Sequence, residues 1–336
     1  MSILRKFTIC AASAAFAATL TTSAQAQTTE LKVSHFLPPN HAFHKAMLAW
    51  GEELEKASNG KLKLQVYPTG QLGGGANRQL DAARNAISDI AISLHGATPG
   101  RYALTELVSL PYTTPKGSTM SAVASRRLTE LAAEYLAKEH EGLKILYMAV
   151  TPPLLVHSKV PIRSVADFKG VKVRYAGANF KGVLDAVSAV PLPVPPPETQ
   201  DALSKGIVDA ATFPYEGALS FRLNQVVKYS IEPAIASATF AVVMNPAKYD
   251  SLPDDLKALI DKTTGPDAAE RFGKSWDEGE TKAKQKMQSD GVEVLAMPDG
   301  EVAKLKAAVA PMLDSAIAAL EKKGVPARKF YEAYTK

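Results

Sequence analysis

The chain has 336 residues, 46% of them hydrophobic, with 39 basic against 34 acidic side chains and a formal charge of +5. That excess is small, and no basic block carries interleaved aromatics, which argues against nucleic-acid binding. The single cysteine, Cys10, lies in the N-terminal leader, so the rest of the chain has no disulfide or thiolate chemistry and must rely on a packed core.

The leader comes first in chain order. Met1–Lys6 carries two positive charges, Phe7–Leu20 is apolar, and Ser23-Ala24-Gln25-Ala26 supplies small residues for cleavage. This pattern predicts a secretory signal over residues 1–26, cut after Ala26. The apolar run is too short and too rich in Ala and Thr for a membrane span, which needs roughly 20 predominantly apolar residues. A lipid-anchor reading of Cys10 fails because bulky Ile9 precedes it and most of the apolar run follows it. No later run is long enough to cross a bilayer, so direct membrane insertion is not expected. The remaining chain of about 310 residues exceeds what one core usually fills, which predicts two domains.

Leu31–Phe36 reads as a short strand stopped by Pro38-Pro39. Phe43, Met47, Trp50, Leu54 and Ala57 then recur on one helix face, with Asn40 as the expected N-cap and Gly60 as the stop. Leu62–Tyr67 alternates as a strand. A glycine-rich loop (Gly70, Gly73, Gly74, Gly75) leads into a helix over about Asn77–Ile87, and Ile90–Leu94 reads as a buried strand. This alternation predicts an open, mostly parallel α/β sheet. A second α/β set follows a helix near Ser118–His140. Its expected strands are Ile145–Val150, Val171–Arg174, Val208–Phe213 and Thr239–Met244, with helices over Asn179–Ala189 and Glu198–Lys205. Pro191–Pro197 reads as a turn. Beyond Pro253 the pattern is helical to about Ser289, broken near Gly265-Pro266, then a strand Val292–Ala296 and a last helix Gly300–Lys322. The expected division is residues 27–150 plus about 240–285 in one domain and 151–239 plus about 286–336 in the other. Ile145–Val150 and Thr239–Met244 join them, with a ligand cleft between.

Catalytic and cofactor signatures are missing. The glycine cluster has no Lys-Ser/Thr after it and is not G-x-G-x-x-G, so neither a phosphate nor a dinucleotide cradle is expected. His41 and His44 share a helix start near His35, but a metal site would need more ligands than these supply. There is no G-x-S-x-G or H-E-x-x-H, and His140-Glu141 has no second histidine behind it. We expect no cofactor, no metal and no catalysis.

The most specific segment is Pro161–Arg174, PIRSVADFKGVKVR. Ser164 and Asp167 have capping-box spacing, Gly170 ends the turn, and the strand that follows delivers Arg174 at its C-terminal end. A guanidinium there suits a carboxylate, because two parallel N–H donors meet two oxygens. An exposed or salt-bridged strand-end arginine is equally compatible with the residues alone.

With these segments the chain resembles the extracytoplasmic solute receptors of tripartite ATP-independent periplasmic (TRAP) transporters, the DctP-like group. The matching pieces are LKVSHFLPPNH, YPTGQLGGG, AISDIAIS, LPY, SKVPIRSVADFKGVKVR, LSKGIVDA and MNPAKYDSLP, in the family's order over nearly the whole chain after the leader. The resemblance implies a two-domain periplasmic-binding-protein-like (type II) fold, with a long helix after Pro253 bracing both domains. It also implies an arginine clamp at Arg174, ligand-induced domain closure and docking on a two-component membrane permease. Two departures bear on the ligand. Where relatives commonly have an amide after the strand at Val208, this chain has Phe213. Where several relatives have a second arginine before S-K-x-P-I, it reads Thr151-Pro152-Pro153-Leu154-Leu155. One anion clamp in an apolar wall favours a monocarboxylate with an aromatic or apolar body over a dicarboxylate or sugar acid. The expected ligand set is Arg174, Phe213, Tyr175, Phe36, His95, Tyr215, Phe240 and Thr151, although each aromatic is equally compatible with ordinary core. Dicarboxylate or oxo-acid binding and ligand sensing are the alternatives within the same frame. A periplasmic enzyme would need an acid–base or nucleophile arrangement that the sequence does not supply.

Overall fold

The apolar runs pair into two separate sheets in the computed structural model, which describes residues 28–118 and 120–336. The expected leader, residues 1–26, lies outside the described residues. Eleven strands are found among the described residues: β1 (Thr29–His35), β2 (Leu62–Tyr67), β3 (Ile90–Leu94), β4 (Lys144–Val150), β5 (Leu154–Ser158), β6 (Lys172–Tyr175), β7 (Val190–Pro193), β8 (Ala210–Phe213), β9 (Tyr229–Ala236), β10 (Thr239–Met244) and β11 (Glu293–Ala296). The first sheet has the order β2-β1-β3-β10-β4 and the second β11-β9-β5-β8-β6-β7. Each is parallel except for one reversed strand, β10 in the first and β5 in the second. Every residue of β3 and β10 is buried, as continuous apolar runs require when both faces of a sheet are covered by helices.

The chain crosses between the sheets twice close to one point, from β4 to β5 and back from β9 to β10. The two crossings hold each other. Thr151 N donates to the Ala238 carbonyl at 2.9 Å, and Ala238 N donates to the Thr151 hydroxyl at 2.9 Å. The helix Gly265–Ser289 spans both halves. Phe272 and Trp276 pack into the core of the first sheet, Ala283 and Met287 into that of the second. At 25 residues it is about 37 Å long, enough to reach across two layers. Its acidic side chains anchor other helices. Asp277 accepts from the backbone N–H groups of Ser121 and Ala122, and Glu280 accepts from those of Tyr215 and Glu216, both at 2.7 Å. Gly273 is where it crosses the helix Ser121–Leu131, and a Cβ there would stand 2.5 Å from Ala122 Cα.

Several elements differ from expectation. His41, not Asn40, caps the helix Ala42–Ala57, its Nδ1 accepting from Phe43 N at 3.2 Å. The Asn179–Ala189 helix spans Ala178–Ala186. The proline segment begins as the edge strand β7, where the missing N–H groups cost no ladder bond. The expected Gly300–Lys322 helix is two, Asp299–Val309 and Pro311–Glu321, because Pro311 starts a new one at its N1 position. A further helix, Ala327–Thr335, buries Phe330 and Tyr334 at helical spacing. These last two helices pack on the first sheet's core beside Leu128 and Leu136, whereas the expected division places about 286–336 in the second half.

Candidate ligand site between the sheets

The site is built where strand ends from both sheets face each other. Ahead of β6, Ser164 and Asp167 close the expected capping box, fixing the turn that feeds Lys172–Tyr175. Arg174 pairs with Leu192 of β7 and Ala211 of β8, so its side chain emerges between two neighbouring strands. Nε donates to the Val194 carbonyl at 2.9 Å and Nη1 to the Thr212 carbonyl at 3.0 Å, while the guanidinium lies 4.2 Å from the centre of the Phe213 ring. Arg174 is only 2% exposed, and Nη2 is buried with no hydrogen-bond partner. Among the described residues no carboxylate forms an ion pair with it. Loss of hydration pulls the guanidinium down to about 9, and no fixed negative charge offsets that cost. The alternative of an exposed or salt-bridged strand-end arginine does not describe this position. The group is buried, partly bonded and short of an anion.

Arg174 lines a small cavity of about 50 Å³. A cavity of 10–15 Å³ on this measure holds one water, so the space accommodates a compact organic group once its side chains relax. Phe36 and Phe240 form one wall, their rings parallel at 6.3 Å, and Phe213 and Phe221 form another at 5.6 Å. Trp276 closes the side nearest the long helix. The polar side chains on this lining are Arg174, Thr151, Thr212, His41 and Trp276. Two of them, Trp276 and Thr212, have their donors committed to the protein. Trp276 Nε1 donates to Glu216 at 3.0 Å, and the Thr212 hydroxyl donates to the Arg174 carbonyl at 3.3 Å. His41 accepts the Phe43 N–H at Nδ1, which leaves the proton on Nε2, 3.4 Å from Glu216. Burial lowers the His41 pKa and the Glu216 carboxylate only partly counters it, so the ring is neutral.

Five of the expected residues are brought together here: Arg174, Phe213, Phe36, Phe240 and Thr151. Three are not. Tyr175 follows Arg174 on the strand, so it turns to the opposite side and lines a neighbouring, larger crevice of about 380 Å³ with Pro195 and Asn77. Tyr215 starts a helix whose first N–H groups are held by Glu280. Its ring packs against His157, and its hydroxyl donates to Glu232 at 3.2 Å. His95 is fully buried inside the first half, bonded to Thr239 Oγ1 and to His140 Nε2, both at 3.0 Å. His41, Phe221 and Trp276 were not anticipated. Trp276 had a weak sequence signal in its four-residue spacing from Phe272 on one helix face, whereas His41 and Phe221 had none. His35 and His44, weighed above as metal ligands, bond each other at 3.1 Å.

The sequence matches the family described as bacterial extracellular solute-binding protein, family 7, over residues 33–319. The chain belongs to that family. Its fold is likewise that of TRAP solute-binding proteins. It superposes on one from Rhodoferax ferrireducens in complex with copurified benzoate at a TM-score of 0.87, with 27% identity, covering 92% of this chain and 97% of that one. A marine metagenome TRAP solute-binding protein specific for aromatic acid ligands, co-crystallised with 3-hydroxybenzoate, gives 0.86 at 28% identity over 92% and 97% of the two chains. The C4-dicarboxylate-binding periplasmic protein of Rhodobacter capsulatus is 26% identical over 81% of either chain. This family member is thus a TRAP-type receptor for a small solute, with its cavity between the two sheets. No helix among the described residues is long and apolar enough to cross a membrane.

Proposed function

We propose that this receptor captures an aromatic monocarboxylate in the periplasm and presents it to the membrane subunits of a TRAP permease. The carrying observation is Arg174, a fully buried cation with a free Nη2 donor and no protein anion, set against an aromatic-walled cavity. An incoming carboxylate supplies the missing charge, and a planar ring fits between the Phe36/Phe240 and Phe213/Phe221 walls. Arg174 is the only basic side chain with a fixed charge on this lining, so a second carboxylate would be desolvated without a partner. Relatives that bind benzoate and 3-hydroxybenzoate support this reading over the dicarboxylate alternative. The chemistry on the cavity wall is that of binding, since Arg174 and a neutral His41, its Nδ1 held by the Phe43 N–H, leave no acid–base pair to turn a substrate over. We read the chain as a receptor without enzymatic activity. Cleavage after Ala26 would follow export. The two lobes, centred on the two sheets, would close around the ligand about the paired crossings at Thr151 and Ala238.

Calorimetry with benzoate, 3-hydroxybenzoate and succinate tests the reading. Either aromatic acid should bind at least tenfold more tightly than succinate. A preference for succinate would overturn it.

A further inference from the structure

Of the polar side chains on the cavity wall, Trp276 and Thr212 have their donors committed, and His41 Nε2 stands against the Glu216 carboxylate at 3.4 Å. Arg174 keeps Nη2. Thr151 keeps its hydroxyl hydrogen: Oγ1 accepts the Ala238 N–H at 2.9 Å, and among the described residues its own O–H donates no hydrogen bond. A buried hydroxyl that accepts without donating has unused capacity aimed at the space it borders. Thr151 is 4% exposed and lines the same small cavity as Arg174.

We propose that Thr151 is the second carboxylate donor of the site: Arg174 Nη2 takes one ligand oxygen and the Thr151 hydroxyl the other. This rests on the receptor reading above and adds a residue that fixes the head group. Thr151 also ties the two interlobe crossings through its N–H and its accepted bond, so the ligand's oxygen completes a chain from carboxylate to hinge. An anion seated on Thr151 orients the hydroxyl hydrogen into the cavity and leaves its lone pair on Ala238 N–H. Binding thereby reinforces the contact that holds the crossings together.

The test uses the full mature chain with benzoate and with acetophenone, in which a methyl group replaces one carboxylate oxygen. Thr151→Val should weaken benzoate binding about tenfold or more, because a charge-assisted hydrogen bond is lost. It should change acetophenone binding by no more than about threefold, since the single carbonyl stays on Arg174. Thr151→Ser should recover benzoate affinity to within about threefold of wild type. If benzoate affinity survives in Thr151→Val, the proposal falls while the receptor reading stands. Equal losses for both ligands would make Thr151 merely a support for Ala238 N–H and would also overturn it. Failure of the wild-type protein to bind benzoate would remove both readings together.

Discussion

The proposed closure of the cleft can be blocked at one atom. Gly96, just after β3 in the first half, faces Gly177, just after β6 in the second. A Cβ on Gly96 would stand 2.9 Å from Gly177 Cα and 3.0 Å from Gly177 N. Both are backbone atoms, so no side chain can swing aside. Gly96 does not adopt a left-handed backbone, and Gly96→Ala therefore brings no local strain. The cost arises only when the halves meet. Relieving the contact to an ordinary van der Waals separation requires the halves to part by roughly 0.5–1 Å, and overpacking of that kind costs about 1–3 kcal/mol. Ligand affinity should fall about 5- to 150-fold, mostly through faster dissociation, because the closed form is the one destabilised. Calorimetry and stopped-flow fluorescence of Trp276 with benzoate read both quantities, and the melting temperature without ligand should be nearly unchanged. Wild-type affinity in Gly96→Ala would show that Gly96 and Gly177 do not meet in the ligand-bound state.

Two further outcomes follow from buried charge. Glu216→Ala strands three donors that its carboxylate now accepts, Trp276 Nε1, Ala42 N and the Ser220 hydroxyl. The loss should be roughly 3–5 kcal/mol, and thermal unfolding within a degree of wild type would refute it. Acidification below pH 6.5 should also destabilise the fold. Burial holds His35 down to about 3 and His140 and His157 down to about 4, so their contribution is complete above about 6.5 and is lost toward pH 4 at about 1.4 kcal/mol per unit each. Glu280 and Glu106, raised by burial to about 8 and about 7, act in the opposite sense but are fewer. Melting temperatures that rise between pH 6.5 and 4.5 would contradict this balance.

Much of the architecture could be read locally. Ile90–Leu94 and Thr239–Met244 are apolar runs with nowhere to go but a covered sheet. The Phe43–Leu54 stripe and the Ser164/Asp167 box carry their own geometry. Arg174 was legible as a cation leaving a strand. Its burial was not, because the carbonyls of Val194 and Thr212 reach it only after β6 is placed between β7 and β8. The same gap explains the aromatic assignments. Phe36, Phe213 and Phe240 sit at or beside strand ends that face the cleft, whereas Tyr175, one residue after Arg174, and Tyr215, two after Phe213, turn away. His41, Phe221 and Trp276 enter through helices and loops whose direction depends on contacts far apart in the chain, such as Glu216 with Ala42 N, 174 residues away. Strand β5 hid behind Pro152-Pro153, and β9 contains Pro233, which breaks its apolar pattern.

The central claim is that Arg174 meets the ligand's carboxylate, and the most direct measurement is the benzoate dissociation constant of Arg174→Met beside wild type. Methionine keeps an apolar stem in the cavity and removes the only fixed cation on its wall. Truncating a buried, hydrogen-bonded charge pair costs about 2–5 kcal/mol, so affinity should drop by roughly 30- to several-thousand-fold. The unliganded fold should survive, because the bonds lost to the Val194 and Thr212 carbonyls are offset by no longer burying an uncompensated charge. Benzoate bound by Arg174→Met as tightly as by wild type would contradict the account.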